Sequence, residues 1–189
     1  ESSGWMPRSR WSVCGWICYH PCEDACTRGN MDDPIRIRAL KRFAIEWGRD
    51  NAPLSRSDRT CAEPTGRSLA IVGGGPAGLT AAHDLARMGH EVTVMEASDR
   101  AGGMLRWHIP TYRLPRRILD EEIEHIKSLG VEVRCNRQLG RDFQLDDVAG
   151  EYDSVLLAFG ADDQPRLGVP GENAEGVSAA LSFLREVAE

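Results

Sequence analysis

Apolar and polar positions follow two periods along the chain, and together they predict alternating strands and helices. Short apolar runs bounded by turn residues predict strands at 69–72, 91–95, 131–135 and 154–159, the last of them buried. Apolar residues at helical spacing predict helices over 34–47, 79–88, 118–129 and 177–187, with a short helix or turn at 143–148. Strands that alternate with helices are typical of a parallel α/β sheet. The sequence therefore predicts the α/β class.

A polar stretch rich in proline and glycine divides the chain into two unequal parts. It runs from Gly48 to Ser68, and we place a domain boundary within it. Residues 1–60 are predicted to form a small helical, cysteine-rich domain with a linker, although the first dozen residues show no period. Residues 61–189 are predicted to form a Rossmann-like domain, with a parallel sheet flanked by helices.

A glycine motif joins the first predicted strand to the helix that follows it. Gly73, Gly75 and Gly78 fit the pattern G-x-G-x-x-G, and Glu96 ends the next strand about 20 residues further on. Glycines here permit a tight turn, close approach of the backbone to a pyrophosphate, and close packing of helix on strand. The helix N-terminus attracts the anion, and Glu96 would accept hydrogen bonds from ribose hydroxyls. The alternative is a glycine-rich turn that holds no nucleotide.

A second glycine pair, Gly102 and Gly103, follows Glu96 closely. A further close approach of the backbone beside the first phosphate loop suits a long, extended cofactor. We therefore expect FAD at this site in preference to NAD.

Four cysteines lie at a regular spacing near the start of the chain: Cys14, Cys18, Cys22 and Cys26. Zinc sites usually have two cysteine pairs separated by a longer gap, which this run lacks. Closely spaced thiolates suit an iron–sulfur cluster better, but zinc, disulfides and free thiols stay open on the residues alone. His20 lies within the run, where a packing role is favoured over metal binding. Cys61 and Cys135 stand apart and are interpreted as structural or incidental.

Basic side chains cover part of the predicted helix after the cysteines. Arg36, Arg38, Lys41 and Arg42 are adequately explained as a solvated face. A positive edge beside an anionic cluster would also tune its potential.

Charge and hydropathy exclude several classes of function. The net charge is −6, and residues 61–189 carry 13 basic against 21 acidic side chains, which argues against a nucleic-acid surface. No apolar stretch approaches the length of a membrane span, and we expect a cytoplasmic protein. The chain begins at Glu1 without an initiator methionine, so we expect a trimmed protein or a fragment.

Six segments in one order resemble a known family. They are CGWICYHPCEDAC, DDPIRIRALKRFA, VGGGPAGLTAA, GGMLRWHIPTYRLP, SVLLAFGA and VPGE. The series resembles the small (beta) subunit of glutamate synthase and its NAD(P)H-dependent iron–sulfur flavoprotein relatives, and is similar to the N-terminal half of dihydropyrimidine dehydrogenase. The resemblance implies an oxidoreductase that passes electrons between NAD(P)H, FAD and [4Fe-4S] clusters. It also implies a larger catalytic subunit or acceptor oxidoreductase as partner.

The resemblance also implies which residues hold the cofactors. FAD would lie along Gly73, Gly74, Gly75, Pro76, Ala77 and Gly78, along Glu96, Gly102, Gly103, Met104 and Leu105, and against Arg113 and Leu139. Ile17 would approach the flavin from the cluster domain, and Cys14, Cys18, Cys22 and Cys26 would bind iron. No acid–base catalytic residue is implied, because the protein positions and tunes its cofactors.

The chain departs from the family pattern in two main respects. It lacks the family's upstream cysteine-rich stretch, and it stops before the second G-x-G-x-x-G domain, which binds NAD(P)H. We therefore expect a truncated FAD domain that cannot oxidise NAD(P)H unless another chain supplies that domain. Two alternatives follow: a non-catalytic module that docks on a larger oxidoreductase, and a zinc-bound regulatory domain.

Overall fold

The computed structural model describes residues 11–51, 61–161 and 166–188. Its helices are α1 (Trp11–Ile17), α2 (Pro21–Asp24), a 3₁₀ turn (Thr27–Asn30), α3 (Ile37–Asn51), α4 (Pro76–Arg87), α5 (Met104–Trp107), α6 (Arg116–Lys127), α7 (Leu145–Glu151) and α8 (Ala180–Ala188). Its strands are β1 (Ser68–Val72), β2 (Glu91–Met95), β3 (Glu132–Arg134) and β4 (Ser154–Leu157). Of the first dozen residues, which were predicted to be irregular, the first ten lie outside the described residues, as does the predicted boundary near residue 60. The prediction is wrong for the last two, because α1 begins at Trp11.

The four strands form one parallel sheet in the order β3-β2-β1-β4. The chain moves outward from β1 through α4 to β2 and through α6 to β3, and then returns to the other side of β1 to form β4. The strand order therefore reverses between β1 and β4. Open α/β sheets bind ligands at the carboxyl ends of the strands at such a reversal. The predicted α/β class with a Rossmann-like sheet is confirmed.

Apolar side chains cover both faces of the sheet. On one face Ile71, Val92 and Val94 pack with α4 and α6 through residues such as Ala82 and Leu119. The other face carries a smaller cluster that contains Ala70, Val72, Met95, Phe143 and Val148. Because β1 and β2 contribute to both clusters, these two strands form the rigid centre of the domain.

The last strand differs from the sequence prediction. We expected a buried strand over 154–159, but β4 ends at Leu157 and lies at the edge of the sheet. Leu156 and Leu157 are 40% and 47% exposed, and Phe159 is 62% exposed. An apolar run looks the same in an edge strand as in a central one, so sequence periodicity could not distinguish the two.

The cysteine-rich segment forms two short helices and a 3₁₀ turn. Helix α3 begins at Ile37, so Pro34 precedes the helix and does not lie in its first turn. The carboxylate of Glu23 accepts a hydrogen bond from the Arg38 backbone N–H at 2.7 Å and so caps the start of α3 from 15 residues away. The helix runs on to Asn51, into the stretch predicted as linker.

Two other elements begin or end a few residues away from their predicted bounds. The strand predicted over 131–135 is shorter in the structure, where β3 ends before Cys135. The final helix begins at Ala180, three residues after the predicted start.

Helix α1 connects the cysteine-rich helices to the rest of the fold, since it packs on α3 and on α6. Gly15 faces α3 so closely that a Cβ atom there would lie 3.0 Å from the Cα of Arg42. Arg49 at the end of α3 lies 3.7 Å from the carboxylate of Glu121 on α6. The two parts are thus in direct contact, and their separate domain status stays a prediction.

Candidate cofactor sites

The glycine motif lies at the carboxyl end of β1, where the strand order reverses. Gly73 has φ +112°, and a Cβ atom there would overlap the carbonyl group of Ala158, just beyond β4. A Cβ at Gly78 would overlap the carbonyl oxygen of Gly73. Only glycine allows strand, loop and helix to meet at this distance. The loop therefore presents the N-terminus of α4 at the place where this class of sheet binds nucleotides.

The second glycine pair is in direct backbone contact with the first loop. The N–H of Gly102 donates to the carbonyl oxygen of Gly74 at 2.7 Å. Gly103 has φ +51°, and a Cβ atom there would lie 2.8 Å from the Cα of Gly75. The two glycine segments, 73–75 and 102–103, form a single backbone cradle, which we call the glycine cradle.

Glu96 holds the first loop of this cradle in place. Its side chain is 7% exposed, and its two carboxylate oxygens accept hydrogen bonds from the N–H groups of Gly74 and Ser98, each at 2.8 Å. The sequence predicted a role in binding ribose, and the structure adds a role in positioning the loop. Each carboxylate oxygen can accept a further hydrogen bond, so the two roles are compatible.

Arg106 supports the second loop and was not predicted from the sequence. It is 5% exposed, its Nε donates to the carbonyl oxygen of Ala101 at 2.6 Å, and its guanidinium pairs with Asp120 on α6. A buried arginine is uncommon and nearly always paired. The available signal was a single arginine immediately after the apolar pair Met104–Leu105.

The other predicted flavin residues are spread around the cradle. Pro76 and Ala77 open α4, and Met104 and Leu105 open α5 with Met104 exposed and Leu105 packed on the core. Arg113 lies in an exposed turn, Leu139 packs beside Phe143, and Ile17 ends α1. Contact of these residues with FAD stays a prediction.

The structure brings some of the four clustered cysteines together. Cys14 and Cys18 are within hydrogen-bonding distance of each other, and Cys22 is near enough for its charge to affect Cys14. Cys26 lies at the start of the 3₁₀ turn. Within the three described ranges, no group of three or more metal-ligating side chains lies close enough to hold a metal ion. The four-cysteine ligand set stays a prediction.

The surroundings of these thiols nevertheless suit thiolates. The backbone N–H of His20, a residue in the left-handed conformation with φ +54°, donates to the Cys18 sulfur at 3.3 Å. Hydrogen bonds from the backbone of Ile35 and of Arg28 lower the pKa of the Cys26 thiol. Burial raises the pKa of the Cys14 thiol, and the charge of Lys41 opposes that rise. Backbone donors aimed at sulfur are the kind of surroundings that tune iron–sulfur sites.

Two basic residues of α3 do not form the solvated face that we expected. The guanidinium of Arg38 donates to the carbonyl oxygen of Cys18 at 2.9 Å, and Lys41 Nζ lies 3.9 Å from the Cys14 sulfur. Both side chains are half-buried against the cysteine segment. His20 pairs with Glu23 at 3.4 Å, in keeping with the packing role that was favoured for it.

The two isolated cysteines lie away from this segment. Cys61 contacts the carbonyl oxygen of Leu129, and burial raises the pKa of the Cys135 thiol.

Of the helices in the described ranges, none has the length and apolar character needed to span a bilayer.

Two family models match successive parts of the chain. Residues 8–53 match "Dihydropyrimidine dehydrogenase domain II, 4Fe-4S cluster", and residues 71–129 match "NAD(P)-binding Rossmann-like domain". The boundary between the two matches falls within the predicted linker.

Curated relatives match nearly the whole chain. The glutamate synthase [NADPH] small chain of Mycobacterium tuberculosis is 39% identical over 90% of this chain. The chain is a homologue of the glutamate synthase small chains. It is also 41% identical to the NADP(+)-dependent formate dehydrogenase subunit beta of Moorella thermoacetica and 40% identical to the NADPH-Fe(3+) oxidoreductase subunit beta of Geobacter sulfurreducens, over 93% of this chain in each case. The predicted resemblance is confirmed.

This homologue of the glutamate synthase small chains is much shorter than its relatives. It spans 34% of the Mycobacterium tuberculosis small chain, 28% of the formate dehydrogenase subunit and 26% of the Geobacter subunit. Among solved structures it is similar to Mycobacterium tuberculosis FprA in complex with NADPH, with a TM-score of 0.56 and 25% identity over 65% of this chain and 28% of FprA.

Proposed function

We propose that this chain is the FAD- and cluster-binding part of an NAD(P)H-dependent iron–sulfur flavoprotein oxidoreductase of the glutamate synthase small-chain type. The observation that carries the proposal is the glycine cradle, because two backbone segments in contact at the strand reversal suit an extended dinucleotide. The match of residues 8–53 to a 4Fe-4S model supports the second cofactor. The names of the relatives, which include NADPH and NADP(+), support the electron donor.

The residues of the cradle fit FAD. Backbone N–H groups at the start of α4 would face the pyrophosphate, and Glu96 would add an acceptor for the ribose hydroxyls. The remaining side chains proposed to line the site are Ile17, Met104, Leu105, Arg113 and Leu139. When bound, FAD supplies the exchange between two-electron and one-electron transfer that nicotinamide cannot perform.

The clustered cysteines fit a [4Fe-4S] cluster by their chemistry. Cys14, Cys18, Cys22 and Cys26 would supply one thiolate to each iron, and the N–H groups near Cys18 and Cys26 would stabilise those thiolates. Because no three metal ligands lie close together in the described residues, binding requires the segment 18–26 to close around the cluster. Much of that segment is exposed, so such a movement disrupts little packing.

We infer that the chain works with a larger catalytic subunit or acceptor oxidoreductase in the cytoplasm. Relatives named "small chain" and "subunit beta" support a multisubunit setting. Unpaired, closely spaced cysteines support a reducing compartment. The terminal acceptor is not fixed by this fold, because one scaffold serves many reactions.

A second candidate is a non-catalytic module that docks on a larger oxidoreductase without its own cluster. The observation in its favour is that no group of three or more metal-ligating side chains lies close together in the described residues. Iron analysis separates the two candidates.

The test is to purify the chain anaerobically and to measure bound flavin, iron and acid-labile sulfide. We expect flavin absorbance in the wild type and its loss in Gly103→Ala, since a Cβ there would lie 2.8 Å from the Cα of Gly75. Gly130→Ala is the matched control, because its φ of +96° imposes similar backbone strain with no atom within 4 Å of the added Cβ. A colourless wild-type protein without iron would favour the second candidate.

The same assignment predicts how the chain responds to NADPH. If FAD occupies the glycine cradle, NADPH cannot bind there at the same time. We therefore expect NADPH alone to leave the flavin absorbance of this chain unchanged in a stopped-flow experiment. Rapid bleaching would contradict this expectation.

A further inference from the structure

Lys41 is held beside the Cys14 sulfur by close packing of two helices. Helices α1 and α3 touch at Gly15 and Arg42, where a glycine Cβ would lie 3.0 Å from both the Cα and the Cβ of Arg42. The residues adjacent to this contact in sequence are Cys14 and Lys41. Their side chains meet, with Lys41 Nζ 3.9 Å from the Cys14 sulfur. Backbone packing thus brings these two residues close together.

The neighbouring cations of α3 are engaged differently. Arg38 donates to the carbonyl oxygen of Cys18 and lies near the Glu23 carboxylate, which binds its backbone N–H. The guanidinium of Arg42 pairs with Glu46 at 2.9 Å and stacks over the Trp16 ring at 3.5 Å. The Glu46 carboxylate therefore offsets the guanidinium charge of Arg42. Lys41 brings a compact ammonium charge to a thiol sulfur.

We propose that Lys41 raises the reduction potential of the cluster that is held through Cys14, acting as a positioning residue on that ligand. The inference rests on the proposed function, which makes Cys14 a cluster ligand. Reduction adds one negative charge to the cluster, and a positive charge a few ångströms away stabilises the reduced form more than the oxidised form. The half-buried position of Lys41 limits screening by solvent and salt.

The test is a redox titration of the iron-loaded chain, followed by electron paramagnetic resonance, in the wild type, Lys41→Met, Lys41→Arg and Lys127→Met. Methionine keeps the length of the side chain and removes its charge. At a fixed solution potential, we expect Lys41→Met to lower the ratio of reduced to oxidised cluster about tenfold, a shift of about 59 mV for a one-electron couple. Lys41→Arg should restore most of the wild-type potential.

Lys127 provides the matched control, since it is the other lysine of the chain and lies exposed on α6, paired with Glu124. We expect Lys127→Met to titrate like the wild type.

Iron content separates the possible outcomes. Equal iron content with an unchanged potential in Lys41→Met overturns the role of Lys41 and leaves the proposed function standing. If Lys41→Met loses its iron and Lys41→Arg does not recover the wild-type potential, the role is structural and the inference is also overturned. A wild-type chain that takes up no iron overturns the proposed function together with the inference.

Discussion

At the scale of single residues, the phosphate-binding loop depends on one carboxylate. Glu96 is buried and accepts a backbone hydrogen bond on each oxygen, from Gly74 on one side and from Ser98 on the other. A charged acceptor of two N–H groups is stronger than a neutral one. The same side chain therefore orders the loop before any ligand binds and keeps an acceptor for the ribose.

Glu96→Gln is expected to destabilise the fold and to weaken flavin binding. The amide group of glutamine places a donor against one of the two N–H groups, and leaving a buried donor without a partner costs about 1–3 kcal/mol. Urea unfolding should show a lower midpoint with an unchanged slope. Glu91→Gln, at the exposed start of the same strand, is the control and should unfold like the wild type. Equal midpoints in both variants would contradict the loop-ordering role.

At the scale of elements, the contact between α1 and α3 places the cysteines. Gly15 is buried in this contact, and the facing atoms are backbone and Cβ atoms of Arg42, which cannot rotate away. The separation of the two helices is thus set by the lack of a side chain at one position.

Gly15→Ala is expected to push α1 away from α3 and to reduce both thermal stability and iron binding. Overpacking of a close contact typically costs about 1–3 kcal/mol, more than the gain in helix propensity from alanine. Gly48→Ala in α3 is the control, because no atom lies within 4 Å of the added Cβ. That variant should melt at the same or a slightly higher temperature. A Gly15→Ala protein with wild-type melting and iron content would rule out the close contact.

The sequence could predict features that depend on neighbouring residues, but not features that depend on contacts between residues far apart in the chain. The central strands, α4 and the glycine motif were predicted because each depends on neighbouring residues in the chain. The start of α3 was not, because its cap is the carboxylate of Glu23, 15 residues earlier. In the site, Glu96 was found by its spacing from the glycines. The contacts of Lys41 with Cys14 and of Arg106 with Ala101 depend on tertiary packing, which periodicity does not encode.

At the scale of the whole molecule, an acidic side chain lies where the cysteine-rich helices meet the Rossmann-like part. Glu122 on α6 is half-buried and accepts a hydrogen bond from the backbone of Ser12 in α1. Burial raises the pKa of Glu122 to about 8. Its carboxyl group is therefore protonated more readily in the folded chain than in the unfolded one.

Stability should therefore fall as the pH rises, because the folded chain retains the Glu122 proton after the unfolded chain has lost it. This contribution is complete below the ordinary pKa of 4.5, declines from there to about pH 8, and is lost above that. Glu122→Gln cannot ionise, so its urea midpoint should decline less across this range. Glu124→Gln on the same helix is exposed and should follow the wild type. Parallel pH profiles for the wild type and Glu122→Gln would contradict this account.

The edge strand β4 has a consequence for how the protein behaves in concentrated solution. Among the described residues no strand pairs with its outer side, and Leu156, Leu157 and Phe159 stand exposed along it. Unsatisfied backbone groups next to exposed apolar side chains form a template for intermolecular β pairing. This edge of the sheet thus favours association between copies of the chain, and Leu156→Lys is expected to oppose it by placing a charge on the edge strand.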